Sequence, residues 1–227
     1  MNDMGHVAKS ALMAIVLAML IAGGGVAQVR TTVGHNDNRS ANAEFKFANV
    51  SSPSGDDAAT HARVVMVDGE ADQNGADVSA LTDGILPTSG DQPRRNFFLT
   101  AGSGGARVLI DLGRAIETAA INSYSWHPNS RAPQVYRVWG SDGSDPKFLA
   151  EPKANIDPRN CGWQVIATVD TRSPDEQKDG GQFGVSITDA SGTLGRMRYL
   201  LFDFYVTEVA DNFGNTFYSE IDVIAKK

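Results

Sequence analysis

The chain has 227 residues, 41% of them hydrophobic and 21% charged, with a formal net charge of −7. That balance suits one globular domain plus a targeting segment and argues against a disordered or an integral membrane chain. No basic run is longer than Arg94-Arg95 or Lys226-Lys227. The cationic stripe that displaces counterions from phosphates is therefore missing, which argues against nucleic acid as a partner. An acidic surface also disfavours docking on anionic lipid, while leaving room for a divalent cation.

Taken from the N-terminus, Lys9 precedes an apolar run over residues 11–22, and Gly25-Val26-Ala27 offers a small-x-small cleavage site before Gln28. This is the layout of a secretory signal peptide over residues 1–27. The run is shorter than the roughly 20 residues that span a bilayer, so no stable membrane span is expected after cleavage. An uncleaved anchor is the alternative if Gly23 to Val26 extend the helix. The expected destination is outside the cytoplasm: secreted, periplasmic or on the cell surface.

Residues 28–57 form a polar N-terminal segment with one apolar cluster, Phe45-Lys46-Phe47, read as a first short strand. A β-sandwich domain is expected over residues 58–227. Its strands are predicted at residues 63–67, 96–100, 107–112, 119–126, 134–140, 163–169, 184–188, 198–206 and 217–225, with turn residues between them. Nothing comparable recurs at helical spacing apart from a turn or two around residues 78–81. About eight strands with 23 glycines and 9 prolines indicate an all-β jelly-roll sandwich. The single cysteine, Cys161, forms no intramolecular disulfide and reads as a small buried residue at the entrance of a strand.

The usual catalytic signatures are absent: there is no G-x-S-x-G, no H-E-x-x-H and no G-K-[ST]. A non-enzyme is therefore expected. Gly102 to Gly105 precede a strand and read as a turn. Asp68, Glu70, Asp72, Asn74 and Gly75 look like a cation loop. Read from Glu70 they follow the first half of an EF-hand loop, but Leu81 stands at position twelve instead of the bidentate Glu. An EF-hand is therefore rejected, and a sandwich loop using some of these oxygens is the alternative. The loop over residues 127–133 is the main ligand candidate. It joins two predicted strands and carries His127, Asn129 and Arg131 beside Trp126. An aromatic platform with planar polar groups is the chemistry that binds sugars. The alternative is that Trp126 belongs to the core, Arg131 pairs with a carboxylate and the prolines stiffen the turn.

The order of segments carries a family resemblance. Leu81-Thr82-Asp83-Gly84 is followed by RVLIDLG (107–113), YSWHP (124–128), RAPQVYRVWGSDG (131–143), GWQVIATVD (162–170), RYLLF (198–202) and SEIDV (219–223). The chain thus resembles the discoidin or coagulation-factor type C family, of the galactose-binding-like fold, over residues 58–225. The resemblance implies a non-catalytic module that binds carbohydrate, or an envelope or extracellular protein, through loops at one end of the sandwich. It also implies a structural calcium between the Asp83-Gly84 loop and the last strand, with Asp83 and Glu220 as ligands and Asp91 helping. The terminal cysteine pair of animal members is missing here, and no enzyme accompanies the domain in this chain.

Overall fold

The computed structural model describes residues 28–174, 180–207 and 215–227. The proposed signal peptide lies outside them. Eight strands are present among the described residues: β1 (Val29–Asn36), β2 (Arg63–Asp68), β3 (Ala106–His127), β4 (Val135–Ser141), β5 (Gln164–Asp170), β6 (Gly181–Asp189), β7 (Gly195–Phe204) and β8 (Tyr218–Ala225). They form one antiparallel hydrogen-bonded network folded into two layers.

The fold turns on β3. Its first half pairs with β2 and β7, and its second half with β6 and β8. Between the halves the register slips from Asp111 to Ile116, and Gly113 adopts φ 76°, a left-handed conformation that favours glycine. One layer is therefore β2-β3-β7-β4-β5 and the other β1-β6-β3-β8. What reads in the sequence as two strands, 107–112 and 119–126, is one strand bent across both layers.

Between the layers lies the main core. Val108, Ile110, Tyr136, Val138, Leu200, Phe202 and Phe204 meet Ile121, Val185, Ile187, Ile221 and Val223, all buried. The alternation read along residues 107–112 holds: Val108 and Ile110 face this core, while Leu109 faces out. That period of two is what a strand requires of a face buried on one side.

Both outer faces are covered as well. Residues 142–163 cross the layer of β7, where Trp139, Trp163, Leu109, Leu201 and Cys161 form a second apolar cluster. Residues 37–62 cross the other layer, where Phe45 and Val50 pack with Tyr124 and Trp126. Phe47 lies on a floor of paired glycines, Gly34 and Gly184; a Cβ on Gly184 would come within 2.6 Å of its ring. The expected strand at Phe45-Lys46-Phe47 is thus a strap, and the first strand is β1, upstream of it. Residues 96–100 make only isolated bridges, Phe97 to Tyr218 and Leu99 to Ala71. The helical turn expected at 78–81 is a 3-10 turn over Val78–Thr82, capped by Asp77.

Candidate functional site

The sandwich has two ends. At one, β3 bends at Gly113, and Val29 and Ala225 lie opposite Asp189 and Thr118. At the other, β3 finishes at His127 and β4 begins at Val135, with the candidate loop between them. Its backbone is tied down: the Phe217 amide donates to Arg131 O at 3.0 Å and the Ala132 amide to Asn129 O at 3.1 Å.

The four candidate ligand residues divide into two kinds. Trp126 is 6% exposed and His127 4%. The indole meets Phe45 edge-on, with centroids 5.3 Å apart, and belongs to the cluster under the first strap. It offers no open face for a sugar, which corrects the expectation of a platform. The physical reason is the strap, which makes the outward side of β3 a second interior. His127 packs edge-on against Phe217 at 4.8 Å, and its Nδ1 accepts the Asn129 amide at 3.0 Å. Burial, with the nearby Arg131 charge, holds its pKa below the usual imidazole value. It is therefore a neutral ring that shapes the loop. Asn129 is exposed and Arg131 half-buried, the guanidinium 5.8 Å from the Phe217 ring centroid. These two face the loop's surroundings.

The metal candidates behave differently. Glu220 is 1% exposed; its Oε2 accepts the Gly84 amide at 3.0 Å, so the Asp83-Gly84 loop and the last strand do meet. Its Oε1 finds no donor among the described residues. Burial first, then the Asp222 charge, pushes its carboxyl up to about 10. Asp83 is exposed and its Oδ1 accepts the Ile85 amide at 2.8 Å. Asp91 is not brought to Glu220: its charge acts on His127. In its place the structure brings Asp222, 0% exposed, and Asp57.

Asp222 Oδ2 takes the Ser54 amide and the Tyr124 hydroxyl, both at 3.1 Å. That hydroxyl has one proton, and Ser51 O also accepts it at 2.8 Å. Asp222 Oδ1 and the side-chain oxygen of its cross-strand partner Asn122 find no donor among the described residues. Burial first, then the Asp57 charge, pushes the Asp222 carboxyl up to about 7. Acceptors exceed donors at this place, and such an excess calls for protons or a cation.

The residues fit a hard, oxygen-liganded ion on these grounds. Among the described residues no three His, Cys, Asp or Glu side chains converge, so carbonyls would have to complete six to eight ligands. By alternation Glu220 falls in phase with Tyr218 and Asp222, away from the Ile221 face, which fits a ligand and a solvated side chain alike. A bulge where Tyr124/Glu220 passes to Ser125/Tyr218 turns Tyr218 into the core and leaves the two carboxylates under the strap.

At the acidic loop of residues 68–75 the described carboxylates do not converge on one point. Asp72 Oδ1 accepts the Asn74 amide at 2.8 Å, and Asp68 accepts the amides of Gly69 at 2.9 Å and Ala154 at 2.8 Å. These carboxylates cap turns.

No protein-family model matches the chain, and no curated protein matches it. Solved structures do. The module CpGH89CBM32-4 of Clostridium perfringens is 12% identical with a TM-score of 0.47, over 75% of this chain and 99% of that one. Chitosan-binding module 1 from a chitosanase/glucanase of Paenibacillus sp. IK-5 is 14% identical with a TM-score of 0.45, over 75% and 99%. A fucose-binding module of Streptococcus pneumoniae, SpX-3, is 12% identical with a TM-score of 0.41, over 76% and 99%. The chain is similar to these modules along almost their whole length.

Proposed function

We propose that this chain is an exported, non-catalytic carbohydrate-binding module with a structural calcium. The observation that supports it is the hydrogen bond from Gly84 to Glu220. The motif resemblance requires the Asp-Gly loop and the Glu-Ile strand to meet there, although 136 residues separate them. The buried, donorless Oε1 of Glu220 favours a cation at that junction, held by Glu220, Asp83 and loop carbonyls. A bound ion would fix the loop between the sandwich layers and neutralise buried charge. It would do no chemistry on the ligand.

Sugar binding is assigned to the far-end loop through Asn129 and Arg131, which supply an amide and a guanidinium to hydroxyl groups. His127 and Trp126 hold that loop from within. The test is a glycan array followed by calorimetry on the glycans retained. Asn129→Ala with Arg131→Ala should weaken binding at least tenfold with an unchanged melt. Equal binding by this double variant would remove the loop from the assignment, and an array with no retained glycan would favour a protein-interaction role in the cell envelope.

A further inference from the structure

Where β2 and β7 finish and β3 begins lies a cleft of about 400 Å³ that the far-end loop does not line. Its walls come from three stretches of chain, represented by Asp68, Gly104-Gly105 and Tyr205. Tyr205 is 39% exposed, and no other aromatic ring stands among the exposed large hydrophobic residues described. Its position is set by the backbone, the Tyr205 amide donating to Val135 O at 2.9 Å. Directly behind it, Phe204 is 1% exposed in the core.

Opposite walls supply what a ring lying on Tyr205 would need. The Asp68 carboxylate is fixed by two backbone amides, which also hold its pKa below the usual carboxylate range. It is a pinned, ionised acceptor with lone pairs left for hydroxyl groups. The glycine wall is shaped by sterics. Gly105 has φ 126°, and a Cβ there would lie 2.5 Å from Phe204 O, so only glycine fits. A Cβ on Gly104 would meet nothing within 4 Å, so that side of the mouth is open. At the floor, the Arg107 and Asp203 charges pair at 2.6 Å. The remaining Arg107 donors go to carbonyls of the second strap.

We propose that this cleft is a second carbohydrate subsite, taking one uncharged hexopyranose with its apolar face on Tyr205 and its hydroxyls on Asp68. An aromatic face beside a fixed acceptor is sugar chemistry, and a few hundred Å³ is the size of a small-ligand site. The charge decides the class of sugar. With Arg107 and Asp203 cancelling, Asp68 leaves the lining with one net negative charge, which repels a uronate. The neighbouring Lys153 does not line the cleft; its charge reaches Asp68, but its ammonium is turned to Val67 O, so the lining itself stays acidic. A chain with two such subsites would hold an oligosaccharide at two points, where the gain from linked contacts exceeds either alone.

The subsite deepens the carbohydrate reading and rests on it, but the two can fail separately. The probes are methyl β-galactopyranoside, methyl β-glucopyranoside and methyl β-glucuronide, titrated by saturation-transfer NMR against the purified protein. Tyr205→Ala and Gly104→Leu should each cut binding of a neutral glycoside at the cleft by tenfold or more, with melts within a degree or two of the parent. The glucuronide should bind at least tenfold more weakly, and Asp68→Asn should close that gap. If both cleft variants bind as the parent while Asn129→Ala/Arg131→Ala does not, the cleft falls and the loop stands. If the reverse holds, the cleft stands and the loop falls. No binding of any glycoside to the parent overturns both.

Discussion

Arg107 offers the sharpest test of how the second strap is held. Its side chain is 7% exposed and that of Asp203 13%. The guanidinium makes two hydrogen bonds to Asp203, at 2.6 and 3.2 Å. Its Nη1, with two protons, is shared among the carbonyls of Pro152, Lys153 and Ile156, at 3.1, 2.8 and 2.9 Å. Arg107→Ala removes these contacts and leaves Asp203, among the described residues, with only the Trp139 indole N–H, at 2.8 Å. Breaking a buried ion pair from one side costs about 3–5 kcal/mol, because the remaining charge stays desolvated. Total stability is on the order of 5–15 kcal/mol, so the loss is a large share of the whole. Equilibrium urea unfolding followed by tryptophan emission reads it, since Trp139 and Trp163 lie in the cluster under that strap. Arg107→Lys should recover only part, because an ammonium cannot reproduce the planar fork. The double variant Arg107→Met/Asp203→Leu should recover most, since it leaves no buried charge, and it supplies the reading if the alanine variant does not fold. A loss below about 1 kcal/mol for Arg107→Ala at unchanged m-value, the range of an exposed pair, would refute the reasoning.

Four other outcomes can be checked directly. Trp126→Ala should cost about 3–5 kcal/mol in the same urea assay, as a large-to-small change in a core does; a ring exposed for ligand would cost far less. Gly184→Ala should lose about 1–3 kcal/mol by overpacking, with Phe47→Leu in the same chain restoring part of it, since the added Cβ meets that ring. Chelator should lower the melting temperature and Glu220→Gln should abolish that sensitivity; identical melts with and without chelator would remove the ion. In metal-free protein the raised carboxyl of Glu220 makes the folded state the tighter proton binder, so stability falls as pH rises toward about 10. Between pH 7 and 9 the melt should therefore drop, and Glu220→Gln should remove most of the drop, leaving the smaller part due to the Cys161 thiol, whose pKa burial also raises. Above about pH 8 little of the drop comes from Asp222, whose folded pKa is about 7. The window avoids His127, whose lowered pKa acts with the opposite sign on the acid side.

Much of the frame was legible because a half-buried strand writes its own period. Residues 63–67, 107–112, 134–140 and 198–206 alternate or run apolar where β2, β3, β4 and β7 lie. β1 was missed because its side chains are mostly exposed or intermediate; an edge strand with little burial leaves no apolar period to read. β5 shows the limit of phase. Trp163, Val165, Ala167 and Val169 read as one face, yet Val165 is 48% exposed and Trp163 belongs to the outer cluster. The cause is a bulge at Ile166 in β5 itself, where Ala167 pairs with Val138 but Val165 with the next residue, Trp139. The site was less legible for a related reason. Trp126 and Asp222 point away from the main core, and sequence alternation equates that with solvent. Nothing in residues 37–62 announces that they fold back over this face, since Phe45 and Phe47 look like a strand of their own.

The bend of β3 at Gly113 also fixes where this molecule can change. A residue inserted into β3 on either side of the bend would invert every side chain beyond it, sending Val108 or Ile121 outward. Its backbone bonds span both layers, so neither layer can peel away while the other keeps its ladder. The loops at the far end answer to no such register, and doubling the length of one costs only about 0.6 kcal/mol in closure entropy. Strand lengths are therefore frozen as a set, while the far rim is free to acquire insertions and new specificities without renegotiating the frame.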